Sequence, residues 1–294
     1  GVDELDLDKF RKILVVGAGK GIQRVAKAFE DVLGDYLTGG HVIAKYGDDI
    51  ILEKLGVTLA AHPVPDENCV VGSKKLLEYA TDITEEDLVI TLIGNGASSL
   101  MTLPVEGVTL AEVRDITRIM QIEKGVPTNE LNAIRNHLDQ LKGGKLSRRF
   151  LPAKMIHIAV TDISRSDING KKFDYVEFMK QNMWLHNLAD GTTFEEAIDV
   201  LKKYDMWDKC PEGIRETLLE ADPSIETVKY EEFEKTDFRV FGIMPGSLHF
   251  MPVMKRKAEE LGYKAVILAE RIMAESKEVA AVISAIAKNI QDAG

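Results

Sequence analysis

The stretch from residue 87 to residue 101 reads DLVITLIGNGASSLM, and it decides how the rest of the chain is organised. Its apolar run at residues 88–93 is short and rich in β-branched side chains, which is typical of a strand buried on both faces. The run stops at a glycine-rich turn, where backbone N–H groups and serine hydroxyls can cradle an anion. The turn residues expected to do this are Gly94, Asn95, Gly96, Ala97 and Ser98. The alternative is a strand-to-helix turn that needs glycine for geometry alone.

Composition excludes several classes of protein. The chain has 294 residues, a formal net charge of −11 and 45% apolar residues, which is enough for a sizeable core. The acidic balance argues against nucleic acid as a partner, because phosphate backbones need clustered lysine and arginine. Its 2 cysteines, Cys69 and Cys210, are far apart and indicate a reducing compartment. No apolar stretch approaches the ~20 residues of a membrane span, so we expect a soluble cytoplasmic protein without a membrane partner.

Strand-like and helix-like segments alternate along the chain. This alternation predicts an α/β fold, a three-layer αβα sandwich around a mostly parallel, Rossmann-like sheet. Strands are expected at residues 12–16, 41–44, 57–61, 88–93, 154–160, 238–243 and 264–268. In such a sheet ligands bind at the carboxyl ends of the strands. Four junctions should meet there, at residues 17–20, 94–98, 161–162 and 246–247.

The first junction, Gly17-Ala18-Gly19-Lys20-Gly21, follows a strand and opens a helix. A dinucleotide fingerprint needs G-x-G-x-x-G, and here Ile22 occupies the place of the third glycine. The pattern therefore disfavours NAD binding by this turn. A Walker A motif, G-x-x-x-x-G-K-[ST], does not occur in the sequence either.

Two further segments carry polar side chains of uncertain role. In His62-Pro63-Val64-Pro65-Asp66 the prolines stiffen the turn, so that it either holds His62 and Asp66 for a ligand or is simply a rigid loop. Residues 128–142 are predicted to be one helix with an apolar stripe at Leu131, Ile134, Leu138 and Leu141. A polar stripe runs beside it at Asn132, Arg135, Asp139 and Lys142. That stripe is either a solvated face or a cleft wall, with Arg135 and Lys142 holding phosphate or carboxylate.

The junction at Thr161-Asp162 follows another strand of buried type. A carboxylate at the end of a parallel strand is well placed for Mg²⁺, although a helix N-cap is an equal alternative.

Taken together, these stretches resemble the type II glycerate 2-kinase family, which is also called hydroxypyruvate reductase-like. The matching stretches are VVGAGK at 15–20, HPVPDE at 62–67, GASSL at 96–100, NAIRNHLDQLKGGKL at 132–146 and GTTFEEAIDVLKKY at 191–204. They occur in the family's order and cover most of the chain. The resemblance implies ATP-dependent phosphorylation of D-glycerate, or a related small hydroxy acid, at the 2-hydroxyl.

The resemblance also implies roles for individual residues. Lys20 would lie in the active-site cleft as the catalytic residue, and Asp162 would hold Mg²⁺. The sequence offers no obvious general base; from the residues themselves, Asp66 or His62 is the candidate. Substrate and phosphate would be bound by Gly19, Gly94, Asn95, Gly96, Ala97, Ser98, Arg135, Lys142 and Ser247. These assignments agree with the chemistry of phosphoryl transfer, which depends on placement and charge neutralisation.

The chain also departs from the family. After Asp162 the usual V-P-G-D-D is missing, and the usual G-S-N reads Gly246-Ser247-Leu248. We expect residues 1–294 to be a single α/β domain that corresponds to the family's N-terminal domain, without its C-terminal MOFRL-type domain. A homodimer, or dependence on that missing domain, is an open possibility. The alternative function is a catalytically impaired homologue that binds a small anion or nucleotide, and a hydroxypyruvate reductase is less favoured.

Overall fold

The computed structural model describes residues 4–160, 179–180, 183–243, 251–269 and 276–293. The described residues form two compact units, the first ending at residue 243 and the second starting at residue 251. None of the helices among these residues has the length and apolar character that a membrane span requires.

The first unit is built on a sheet of 6 parallel strands in the order β3-β2-β1-β4-β5-β6. The strands are β1 (Lys12–Ala18), β2 (Gly39–Lys45), β3 (Gly56–Ala60), β4 (Asp87–Ile93), β5 (Lys154–Val160) and β6 (Phe238–Ile243). All residues of β4 are buried, as its apolar run predicts. The strand order reverses between β1 and β4, and this reversal is where ligands bind in open α/β sheets. The predicted Rossmann-like α/β fold is confirmed.

Helices surround this sheet. The α-helices of the first unit are α1 (Ile22–Leu33), α2 (Glu67–Glu78), α3 (Ala97–Leu100), α4 (Leu110–Thr117), α5 (Thr128–His137), α6 (Lys145–Arg149), α7 (Phe194–Lys203), α8 (Glu212–Glu220) and α9 (Tyr230–Phe233). Short 3₁₀ turns lie at Leu7–Lys9, Gly34–Tyr36, Trp207–Lys209 and Pro223–Ile225, and a π-turn at Arg118–Glu123. Capping boxes begin α2, α4 and α7, at Asp66, Thr109 and Thr193.

Apolar side chains form three buried clusters in the first unit. One cluster joins one face of the sheet to α1, and a second joins the opposite face to α2 and α6. The third contains no strand residue and holds α4, α5, α7 and α8 together. Since helices cover both faces, the arrangement has the predicted three layers, with a helical group beside them.

The predicted helix over residues 128–142 is shorter in the structure, because α5 ends at His137. Residues 138–140 instead pair with the segment at 103–105, where Gln140 donates its backbone N–H to Leu103 at 2.8 Å and Val105 donates to Leu138 at 3.1 Å. The polar stripe is buried along its whole length, with Arg135 6% exposed and Lys142 1% exposed. The interpretation of that stripe as a solvated face is therefore wrong.

The second unit consists of α10 (Met251–Glu260), an extended segment and α11 (Ser276–Ala293). The strand predicted at residues 264–268 is not present, since this segment forms no ladder with any described strand. A periodic apolar run without a partner does not form a sheet by itself.

Candidate functional site

The turns after β1 and β4 lie side by side at the point where the strand order reverses. The backbone N–H of Lys20 donates to the carbonyl of Asn95 at 2.8 Å, and that of Gly94 donates to Ala18 at 3.0 Å. A Cβ atom at Gly19 would lie 2.7 Å from the Cα of Gly94, so neither turn has room for a side chain at Gly19. The two turns that sequence reasoning assigned to one edge are in direct contact.

Gly96 is where three parts of the site meet. Its φ of +88° lies in the left-handed region that favours glycine. A Cβ here would stand 2.9 Å from Cδ2 of His62 and 3.2 Å from Cγ of Lys20. Lys20 is exposed, and within the described residues its ammonium group has neither a hydrogen bond nor an ion pair. The site therefore contains a cation that is free to meet an anionic ligand.

Asp66 is held firmly by its neighbours. Its Oδ1 accepts hydrogen bonds from the backbone N–H groups of Ala61 and Cys69, both at 3.2 Å, and Oδ2 accepts from the Tyr46 hydroxyl at 2.5 Å. Burial acts to raise the pKa of Asp66, but these hydrogen bonds outweigh it and hold the pKa below its usual value. Asp66 thus caps α2 and fixes the turn that carries His62.

His62 is half-buried beside Lys20. Burial lowers the pKa of its imidazole, and the positive charges of Lys20, Lys45 and Arg135 lower it further. Because the ordinary value is near 6.5, the ring is neutral at pH 7 and can accept a proton. Because it lies beside Lys20 and within the field of these cations, His62 is placed to meet a hydroxyl close to bound anions.

Ser98 has a partner that sequence reasoning missed. Its hydroxyl lies 2.8 Å from Nε2 of His186, a residue 88 positions further along the chain. His186 is fully buried, and burial together with the charges of Lys142, Arg135 and Lys145 lowers its pKa well below the usual value. The ring is therefore neutral. Among the described residues its Nδ1 has no hydrogen-bond partner, which favours the tautomer with the proton on Nε2; that N–H then donates to Ser98 and leaves the serine proton for a ligand.

Lys142 is neutralised by its own neighbour. Its ammonium donates to Oδ2 of Asp139 at 2.6 Å and to the Thr102 hydroxyl at 3.1 Å. The same carboxylate accepts the backbone N–H groups of Leu103 and Leu141. Burial lowers the pKa of Lys142, and Asp139 opposes that shift. The two charges neutralise each other, so the geometry indicates a role in holding the segment after α5 to residues 102–103.

Arg135 presents the opposite case. Its guanidinium donates to Oε1 of Gln121 at 2.8 Å, yet no carboxylate of the described residues lies within ion-pair distance. Burial alone lowers its pKa to about 10, so the group stays charged at pH 7. A buried charge without a counter-charge is costly. Arg135 is therefore a second candidate anion ligand, and its charge acts on His62 together with that of Lys20.

Asp162 and Ser247, which the sequence assigned to metal and to phosphate, lie outside the described residues. Within the described residues there is no group of three His, Cys, Asp or Glu side chains that could hold a metal ion.

The chain is similar in sequence and in structure to several known proteins. A sequence profile described as "Domain of unknown function (DUF4147)" matches residues 2–176. The D-glycerate 2-kinase of Thermotoga maritima is 30% identical over 289 residues, which cover 98% of this chain and 63% of that protein. The glycerate 2-kinase of Pyrococcus horikoshii is 32% identical over 286 residues, covering 96% and 60% respectively.

A solved structure agrees with these relatives. The crystal structure of glycerate kinase (EC 2.7.1.31) from Thermotoga maritima superposes with a TM-score of 0.69 at 29% identity. The match covers 95% of this chain and 62% of that one. The chain thus spans about three fifths of the length of the relatives it matches.

Proposed function

We propose that this chain, which belongs to the family described as "Domain of unknown function (DUF4147)" by a profile that matches more than half of it, is an ATP-dependent kinase. Its substrate would be D-glycerate or a related small hydroxy acid, phosphorylated at the 2-hydroxyl. One observation carries the proposal: Lys20, which lies beside His62 at Gly96, and Arg135 are cations without a carboxylate partner in the described residues, and the charges of both lower the pKa of His62. The glycerate kinases named above supply the substrate class.

The phosphate end of the site would be formed by the two contacting turns. Within Gly19 and residues 94–98, the N–H groups of Gly19, Gly94 and Ala97 are engaged in backbone hydrogen bonds. Those of Asn95 and Gly96 have no such bond among the described residues and would donate to a phosphate beside Lys20. Lys20 would neutralise the phosphate charge, and Ser98, oriented by His186, would donate its hydroxyl proton. When bound, ATP supplies the phosphoryl group that is transferred.

The general base is proposed to be His62. Its ring is neutral at pH 7, and it lies next to Lys20, where the 2-hydroxyl would approach the phosphate. Asp66, the other candidate, has both carboxylate oxygens engaged in hydrogen bonds. We assign Asp66 to positioning the turn and retain it as the alternative base.

Magnesium stays a prediction from the sequence. The described residues alone do not form a metal site, and Asp162 lies outside them. The cytoplasmic location, the single-domain boundary, the homodimer and the dependence on a C-terminal domain also stay predictions.

The test is ADP formation by the purified chain with ATP and D-glycerate. We expect Lys20→Ala to lower kcat/KM by about a hundredfold or more, the usual effect of removing one preorganised charge-stabilising group. Lys74→Ala, which removes an exposed lysine on α2, is the matched control and should leave the rate unchanged. A wild-type chain that binds ATP and D-glycerate without forming ADP would favour the alternative, an anion-binding homologue without turnover.

A further inference from the structure

Arg135 lies close to both turns that form the candidate site. Its side chain lines a cavity of about 10 Å³ together with Pro65, from the turn that carries His62, and with Ser98, from the glycine-rich turn. That space holds roughly one water molecule. The positive charge of Arg135 also acts on His62, because it contributes to lowering the pKa of that imidazole. The group that holds Arg135 therefore affects how this charge is presented to a ligand.

The guanidinium of Arg135 is held by a neutral amide. Its Nη2 donates a hydrogen bond to Oε1 of Gln121 at 2.8 Å. A guanidinium has donors and no acceptor, so the amide must turn its oxygen towards it. The contact fixes the position of the guanidinium and leaves its charge uncancelled.

The π-turn at Arg118–Glu123 brings Gln121 to this position. Within it the backbone N–H of Lys124 donates to the carbonyl of Ile119 at 2.9 Å. Met120 is buried, Ile122 is 57% exposed, and Gln121 between them is half-buried. The turn thus directs the amide of Gln121 towards α5 and leaves its neighbour in solvent. Such π-turns occur frequently at functional sites.

The carboxylates nearest to Arg135 along these segments are engaged elsewhere. The π-turn, α5 and residues 138–140 contain three, and each pairs with another cation. The pairs are Glu123 with Arg118, Glu130 with Lys203 at 2.6 Å, and Asp139 with Lys142 at 2.6 Å. A buried charge without a counter-charge is costly, yet the residue that contacts Arg135 is an amide and not a carboxylate.

We propose that Gln121 is a positioning residue, which holds the Arg135 guanidinium for an anionic oxygen of the ligand and, being neutral, leaves the charge available to it. The inference rests on the proposed function and deepens it, because it names the residue that controls one of the two unpaired cations of the site. Since Lys20 and the glycine-rich turns are assigned to phosphate, the anion expected at Arg135 is the carboxylate of the hydroxy acid. A phosphate of the nucleotide is the other source of the same chemistry.

The test gives Arg135 the carboxylate that it lacks. Gln121→Glu is nearly isosteric and places a negative charge where the amide oxygen now accepts one hydrogen bond. We expect two effects of opposite sign. The urea midpoint of unfolding should rise, because a buried charge gains a partner. The Kd of the anionic ligand should rise by about tenfold or more, because the guanidinium is already neutralised. Loss of a merely structural contact would lower stability together with binding.

Binding is measured by isothermal titration calorimetry on the full chain, with D-glycerate and ADP as separate probes. The probe whose affinity falls carries the anion that Arg135 binds. Ile122→Glu is the matched control, because it adds the same charge at the neighbouring exposed position, and both probes should bind it within about threefold of wild type. Gln121→Met keeps the length and neutrality but loses the hydrogen bond. It should weaken binding by about threefold to tenfold without raising the urea midpoint.

The proposal is overturned if Gln121→Glu binds both probes like the wild type, or if it weakens them no more than Ile122→Glu does. It is also overturned if the urea midpoint of Gln121→Glu does not rise, or if the wild type binds neither probe. A wild type that forms no ADP, but whose binding of a probe is weakened by Gln121→Glu, would disprove the kinase and leave the role of Gln121 in place.

Discussion

Two groups of charged and polar side chains contribute to the candidate site, and they differ in how completely the fold supplies their hydrogen-bond and charge partners. We call Asp139, Lys142 and Thr102 the paired cluster, because each member has its hydrogen bonds made by the others or by the backbone. We call Lys20, His62 and Arg135 the open cluster, because its two cations have no carboxylate partner among the described residues.

The contrast shows that burial of a charge does not by itself mark a ligand site. Lys142 is more deeply buried than Arg135, at 1% against 6% exposed, yet it is the one that is neutralised. Missing partners are the better signal, since nearly all buried polar groups in proteins are satisfied. The contrast also makes a prediction about stability: the paired cluster stabilises the fold, whereas the open cluster costs stability in exchange for binding.

The largest effect on stability is expected from Asp139→Asn. This change removes the charge opposite Lys142 and leaves an ammonium group buried without compensation. Breaking a buried pair in this way typically costs about 3–5 kcal/mol. The free energy of unfolding, measured by urea titration, should fall by that amount.

A double variant sharpens this result. Asp139→Asn combined with Lys142→Met removes both charges, and we expect it to recover most of the loss, because no charge is then left uncompensated. Equal stability of Asp139→Asn and the wild type would contradict the assignment of these residues to the paired cluster.

An intermediate effect is expected at Glu226, which extends the paired side of the site. Its carboxylate accepts from His137 at 2.9 Å and from Lys229 at 3.1 Å. Burial acts to raise its pKa, but these hydrogen bonds and the neighbouring charge lower it to about 2. Since the folded pKa lies below the unfolded value near 4.3, the stabilisation is present above pH ~4.3 and is lost as pH falls towards 2.

Glu226→Gln should therefore lower the free energy of unfolding by about 2 kcal/mol at pH 7 and have little effect near pH 2. The measurement is urea unfolding of both proteins between pH 2 and pH 7. A difference between them that does not change with pH would show that the carboxylate charge is not what stabilises this part of the fold.

The smallest effect on stability is expected from Arg135→Gln. The guanidinium has no carboxylate to lose, so the free energy of unfolding should change by less than about 1 kcal/mol or should rise. Binding of D-glycerate should nevertheless weaken by more than about tenfold, since hydrogen bonds to charged groups contribute about 1.5–3 kcal/mol. A large loss of stability would show that the charge of Arg135 is neutralised within the fold, so that Arg135 belongs to the paired cluster.

Much of the fold could be predicted from local patterns. The apolar run of β4, the glycine turns and the alternation of elements led to the parallel sheet and to the contact between the two turns. The end of α5 could not be predicted, because the leucine periodicity continues to Leu141 while the backbone after His137 pairs with residues 103–105. A tertiary contact overrode a helical pattern there.

The site was less predictable for a related reason. Lys20 and the turn at 94–98 lie in glycine-rich turns that can be recognised in the sequence. His186, by contrast, is buried in a segment without a motif and contacts Ser98 only in the folded chain. Arg135 is conspicuous because it has no carboxylate partner among the described residues, and a missing partner cannot be seen in a sequence. The roles assigned to Asp162 and Ser247 stay predictions.

The π-turn after Thr117 has a consequence for engineering this protein. Each residue of an α-helix turns the chain by about 100°, and a π-turn accommodates one more residue per hydrogen-bonded ring than an α-turn does. Deleting Ile119 would shift the register of the segment and rotate Gln121 away from the guanidinium that it holds at 2.8 Å. Deleting this one residue would therefore remove the hydrogen bond that holds Arg135 and leave the Arg135 side chain itself in the protein.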